Sequence, residues 1–187
     1  MTAESRRPPL GSLAGDLERI GAITDGSVAA REIGSVSQVA FRAGATTAPT
    51  LPFPIPLEPN TWVGEEPEAL WLSPDEWLLI SRGAAADVIA TIASALGTTA
   101  HAAVDVSANR AIVELTGPGR HDLLASRCPL DLHPRAWGGR SCAQTLVGRA
   151  PVVLQHRDDA TRMLVRPSFG RYVVDLLVDG AAFVRVG

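Results

Sequence analysis

Asp105–Thr145, DVSANRAIVELTGPGRHDLLASRCPLDLHPRAWGGRSCAQT, decides how the chain is built. It reads as a strand, a tight turn, a short helix and an ordered loop that returns to a strand. Residues 110–115, RAIVEL, are rich in β-favouring types and run into Thr116-Gly117-Pro118-Gly119. Thr116 or Gly117 is placed to cap a helix whose first position is Pro118, where a missing N–H costs nothing. Leu123 and Leu124 then fall on the buried side of that helix, and Cys128-Pro129 stops it. The loop that follows, residues 129–134 (PLDLHP), sets Asp131 and His133 between leucines and two prolines, which predicts a pinned loop.

Downstream, residues 142–147, 152–156 and 163–166 read as strands, and residues 168–178 as a closing helix with Ser168 at its N-cap. Upstream, residues 102–106 are a strand, and residues 84–96 (AAADVIATIASAL) are a helix. That helix has an apolar face at Val88, Ile89, Ile92 and Leu96, with Gly97 as its C-cap. Residues 69–81, ALWLSPDEWLLIS, form a hairpin about Ser73-Pro74-Asp75, with Trp71 and Trp77 both packed. Asp75-Glu76 is read as a solvated turn, since adjacent turn residues point apart. Residues 48–60, APTLPFPIPLEPN, carry five prolines. They predict an extended strap on the order of 35 Å long at ~3.1 Å per residue. Leu51, Phe53, Ile55 and Leu57 would pack inward; a ligand for a proline-reading module is the competing reading. Residues 33–42 are the first strand, residues 16–23 a short helix, and residues 1–15 a mobile tail.

Hairpin 69–81 with helix 84–96 resembles hairpin 152–166 with helix 168–178. The expectation is therefore one α+β domain, 16–187, made of two ferredoxin-like or βαβ pseudo-repeats at about 30–99 and 100–187, with helices layered on antiparallel sheets.

Composition narrows the function. The net charge is −3, against a general nucleic-acid or membrane-surface role. All 17 basic residues are arginine, which excludes a Schiff-base lysine, a P-loop lysine and a lysine general base. Two cysteines, Cys128 and Cys142, make no secreted disulfide framework and point to a reduced, cytoplasmic protein. No apolar run is long enough to span a bilayer, and residues 1–17 do not read as a signal peptide.

Candidate chemistry is sparse. Cys128, His133, Cys142 and His121 lack the paired spacing of a zinc site. Ser107 or Ser141 with His133 and an Asp would make a nucleophile–base set, but no G-x-S-x-G elbow accompanies them. Asp131 and His133 are either a buried acid–imidazole pair or a loop pinned through backbone hydrogen bonds. Arg110 is placed to pair with Asp105 or Glu114. No self-sufficient active site emerges from these residues.

The combination of residues 70–80 (LWLSPDEWLLI), 105–134 (DVSANRAIVELTGPGRHDLLASRCPLDLHP), 140–145 (RSCAQT) and 166–177 (RPSFGRYVVDLL) resembles the gamma subunit of heterotetrameric sarcosine oxidase, over about 52–177. That family resembles in turn the folate-binding domain of glycine-cleavage aminomethyltransferase, and the resemblance implies its fold. It implies a non-catalytic assembly subunit alongside alpha, beta and delta partners. The enzyme they form demethylates sarcosine to glycine and yields formaldehyde or methylene-tetrahydrofolate with hydrogen peroxide. FAD, FMN, NAD, tetrahydrofolate and zinc would lie on those partners, and this chain would hold no catalytic, cofactor or metal residue. The aminomethyltransferase pattern has an acidic pair that engages folate where residues 148–155 here read GRAPVVLQ, so folate binding by this chain is not expected. A free-standing, folate-binding one-carbon carrier is the alternative. The expected interface residues are Pro52, Pro54 and Pro56 of the strap, Trp77, and Leu130, Asp131 and His133.

Overall fold

The computed structural model describes residues 8–34, 36–44 and 50–184, which fall into two compact units. One takes 36–44 and 50–109; the other takes 8–34 and 110–184. The expected halves met near residue 100. In the structure, residues 101–105 pair within the first unit and residues 29–33 within the second.

The first unit is a five-stranded antiparallel sheet in the order β3-β4-β5-β2-β6. Its strands are β2 (Ser37–Ala43), β3 (Trp62–Val63), β4 (Glu68–Ser73), β5 (Glu76–Ser81) and β6 (His101–Asp105). Helix α2 (Ala85–Leu96) joins β5 to β6. Both of those strands run antiparallel to β2, so the β5–α2–β6 connection straddles it as a split βαβ unit. The helix buries Ala85, Val88, Ile92 and Leu96 at helical spacing and ends at Gly97, whose φ of 53° is the left-handed value the C-cap needs. Its side chains meet Val39, Phe41, Trp77 and Leu79 from the sheet.

The second unit is also a five-stranded antiparallel sheet, in the order β1-β7-β10-β9-β8. Its strands are β1 (Ala29–Ile33), β7 (Ala111–Thr116), β8 (Cys142–Val147), β9 (Ala150–His156) and β10 (Ala160–Val165). Helices α1 (Ala14–Ile23), α3 (Arg120–Ala125) and α4 (Gly170–Ala181) cover one face. Leu17 and Ile20, Leu123 and Leu124, and Val173, Val174 and Leu177 interlock there over Val113, Leu115, Leu154 and Met163.

Several local expectations shift. The first strand, read as 33–42, is two strands, β1 and β2, which belong to different sheets. Periodicity alone did not reveal the break. Of the expected tail, residues 1–7 lie outside the described residues, while Leu10 and Leu13 are buried in the second core. Leu10 is further fixed by its backbone N–H, which donates to the Glu32 carboxylate at 3.1 Å. Helix α3 starts at Arg120 rather than Pro118, with no side-chain cap. Gly117 holds φ at 93° hard against the Ser27 carbonyl, and this turn occupies the residues the helix would have used. Ser168 does not cap α4; it sits in a 3-10 turn, Pro167–Phe169, that leads into the helix.

A row of paired side chains crosses the second sheet. Arg31, Glu114 and Arg162 stand opposite one another on β1, β7 and β10. Arg31 donates to Glu114 Oε1 from Nη2 at 2.6 Å, and Arg162 Nε donates to Oε2 at 3.0 Å. Burial alone would raise the Glu114 pKa, but the two guanidiniums outweigh it and hold the carboxyl below its ordinary value of 4.5. A lowered folded-state value means the stabilisation is complete above the unfolded value near 4.5 and is lost as pH falls below it. Glu114→Gln should therefore cost about 2 kcal/mol in urea unfolding at neutral pH, chiefly through the half-buried Arg162. The difference between variant and wild type should shrink below pH 4.

Candidate functional site

The described strap, residues 50–60, packs on the first unit by alternation. Leu51 is buried, Phe53 and Ile55 are half-buried against the core, and Pro52 and Pro54 face outward. Leu57, expected inward, is 56% exposed. Ala48 and Pro49 lie outside the described residues. One hydrogen bond fixes the register: Trp77 Nε1–H donates to the Pro56 carbonyl at 2.8 Å. The Trp77 ring also stacks on Phe41, with centroids 5.6 Å apart. Trp77 is 1% exposed and Pro56 is buried. These two thus serve a surface only by positioning the strap, whereas Pro52, Pro54 and Leu57 present one. Trp71, opposite Trp77 across the hairpin, is half-buried against the same core.

Beside the strap lies an open groove of about 500 Å³, lined by Thr50 and Pro52 on one side and Ala90, Thr91, Ser94 and Ala95 of α2 on the other. Its lining has no acidic side chain, so it offers no carboxylate to a folate ring. The run AAADVIATIASAL carried the signal for this groove: every residue on the groove side of α2 is small.

The second unit presents the 129–134 loop. Asp131 Oδ1 accepts the His133 backbone N–H at 2.9 Å, and His133 Nδ1 accepts the Arg135 N–H at 3.2 Å. The Ala136 and Trp137 N–H groups both donate to the His133 carbonyl. Leu132 is buried in the core, Leu130 is half-buried against it, and Asp131 and His133 are exposed. The loop is thus pinned through its backbone, and the alternative of a buried acid–imidazole pair is ruled out by the exposure of both residues.

The other constellations do not assemble. The Ser107 hydroxyl is held by Asp105 Oδ1 and bonds the Gln38 N–H, and Ser141 Oγ donates to the Gly138 carbonyl, so neither hydroxyl meets a histidine. Glu114 is engaged by Arg31 and Arg162, partners the sequence reading did not foresee. Cys128 and Cys142 are buried thiols, and no three His, Cys, Asp or Glu side chains among the described residues could hold a metal together. No helix among the described residues is long and apolar enough to cross a membrane.

Comparison with known proteins gives a consistent picture. Residues 33–183 match the profile described as the sarcosine oxidase, gamma subunit family. The chain is 35% identical over 165 residues to the sarcosine oxidase subunit gamma of Corynebacterium sp. (strain P-1), covering 83% of this chain and 81% of that one. It is 32% identical over 187 residues to the same subunit of Corynebacterium sp. (strain U-96), covering 95% and 91%. A chain of the heterotetrameric sarcosine oxidase from Corynebacterium sp. U-96, solved with pyrrole 2-carboxylate, superposes with a TM-score of 0.87 at 30% identity over 98% of both chains. The glycine cleavage system aminomethyltransferase T of Bartonella henselae superposes with a TM-score of 0.63 at 11% identity, over 91% of this chain and 56% of that one, which shows a shared fold.

If the Trp77 indole N–H sets the strap, Trp77→Phe should leave the buried Pro56 carbonyl unpaired and cost about 1–2 kcal/mol. Limited proteolysis should then cut within residues 50–60 at least several-fold faster than in wild type, with the rest of the first unit resisting as before.

Proposed function

The chain belongs to the sarcosine oxidase gamma subunit family, and from that premise we propose that it is a non-catalytic assembly subunit of a heterotetrameric sarcosine oxidase. The match over 98% of both chains to one chain of a solved heterotetramer is the observation that carries this reading. Its partners would be the alpha, beta and delta subunits, working in the cytoplasm, where both cysteines stay reduced. Those partners would hold FAD, FMN, NAD, tetrahydrofolate and zinc. The assembled enzyme would oxidise the N-methyl group of sarcosine to leave glycine, with formaldehyde or methylene-tetrahydrofolate and hydrogen peroxide as the other products.

In this reading Pro52 and Pro54 with the exposed Leu57, and Leu130 with the exposed Asp131 and His133, supply contact surfaces, each held by its own core. Trp77 and Pro56 position the first of these. No folate is bound by this chain, since residues 150–156 form an apolar strand with Val152, Val153 and Leu154 buried where the aminomethyltransferase pattern carries acidic side chains.

The two units are read as pseudo-repeats. The orders β3-β4-β5-β2-β6 and β8-β9-β10-β7-β1 correspond position by position. The strap and the α3-plus-loop segment are then equivalent connections, as are helices α2 and α4. The outer position that β6 fills in the first unit is filled in the second by β1, a strand from earlier in the chain.

Tagged and co-expressed with the other subunits, the chain should recover a yellow complex with sarcosine-dependent peroxide formation, while the chain alone should be colourless. Leu57→Arg, at an exposed position, should keep the fold and weaken recovery of the complex about tenfold, the effect of ~1.4 kcal/mol at an interface. Micromolar tetrahydrofolate binding by the isolated chain would instead establish the free-standing one-carbon carrier.

A further inference from the structure

Among the buried polar atoms of the second unit that lack a hydrogen-bond partner are three that lie on neighbouring side chains: His121 Nε2, Trp137 Nε1 and Thr161 Oγ1. All three side chains surround one imidazole. The His121 ring centroid lies 5.7 Å from that of His156, the Trp137 ring meets His156 edge-on at 6.1 Å, and Thr161 stands directly opposite His156 in the β9–β10 register. His156 also holds the end of the loop, with Nδ1 2.9 Å from the Gly139 carbonyl and its backbone N–H donating to the Ser141 carbonyl at 2.8 Å. The segment from Pro129 to Ser141 is therefore tied to the sheet at this cluster, through His156 and through Trp137, which is 4% exposed.

Three buried groups left unpaired would cost ~1–3 kcal/mol each. A water within reach of the Trp137 donor, the Thr161 hydroxyl and the His121 imidazole nitrogen would have the two to four polar partners that a buried water requires. We propose that the cluster is an acid-released latch, in which water joins neutral His121 to Trp137 and Thr161 and holds residues 129–141 on the sheet until His121 is protonated. The inference does not rest on the assembly role.

The charged groups acting on His121 come from two elements. Arg120 and Asp122 flank it on α3, and His156 faces it from β9; the loop contributes the neutral indole of Trp137. Burial, then Arg120 and His156, lower the His121 pKa from 6.5, against a smaller opposing pull from Asp122. Because the folded-state value is the lower one, the neutral form's contribution is complete above about 6.5 and is lost as pH falls below it. Protonation removes the acceptor at Nε2 and sets a cation beside a second imidazole and a guanidinium.

Hydrogen exchange of the full chain tests this. The Ala136 and Trp137 amides, both bonded to the His133 carbonyl, report opening of the segment. After correction for intrinsic exchange rates, wild type should lose protection between pH 7.5 and 5.5 by a factor of up to about ten, the most that one proton on a group released to an ordinary histidine value drives over that range. His121→Gln should show no acid response, and His133→Gln should keep it in full. The proposal is overturned by a flat wild-type profile, by a response that survives in His121→Gln, or by one that disappears in His133→Gln. Should His121→Gln fail to fold, the wild-type His121 ring must titrate in the native state below 6.5, with the loss of protection falling between 6.5 and that midpoint, and a midpoint at or above 6.5 is equally fatal.

Discussion

The bond from the Trp77 indole to the Pro56 carbonyl answers a shortage of cover in the first unit. Five strands at ~4.8 Å spacing make a sheet face roughly 20 Å or more across. One helix, about 10 Å in diameter with its side chains, leaves about half of that face bare. The second unit solves the same problem with three helices and a loop. The first has only α2, so the strap must do the work of a second helix, with Leu51, Phe53 and Ile55 in place of a helical stripe. An extended segment has no internal hydrogen bonds to fix its register. A buried donor on β5, stacked on Phe41, supplies that register from the sheet.

The elements with strong local signals were legible in the sequence. The apolar spacing of α2 with Gly97 behind it, the Ser73-Pro74-Asp75 hairpin, and the run at 111–115 all lie where the residues place them. What escaped depended on distant partners. Leu10 is held by Glu32, and β1 earns its place by pairing with β7, neither of which a window of a dozen residues can reveal. Helix α3 starts later than its residues suggest because Thr116-Gly117-Pro118 satisfies a capping pattern, while the close approach of Gly117 to Ser27, far earlier in the chain, claims the glycine for a turn. The same limit hid the His121–His156–Trp137 cluster, whose members sit on a helix, a strand and a loop.

The loop at 129–134 shows how little separates a structural motif from a catalytic-looking one. An Asp and a His two positions apart, between prolines, carry the residue types of an acid–base pair. Here each side chain caps a backbone N–H of its own loop and both face solvent. The apolar neighbours, Leu130 and Leu132, decide the matter: they fasten the loop to the core and turn the polar pair outward. The groove beside the strap is wide open, and its lining offers no side-chain chemistry beyond hydroxyls.

The second sheet is assembled from pieces of chain far apart in sequence, and that has a consequence during synthesis. Arg31 on β1 waits for Glu114 on β7, 83 positions later. At roughly 5–20 residues per second, a nascent β1 waits about 4–17 s before its partner strand is made. Throughout that interval Leu17 and Ile20 of α1 have no sheet beneath them. The first unit, contiguous in the chain, is complete before β7 begins. The order of emergence therefore leaves residues 10–33 outside the ribosome well before their shelter is made, so that chaperone contact in that interval would fall on them.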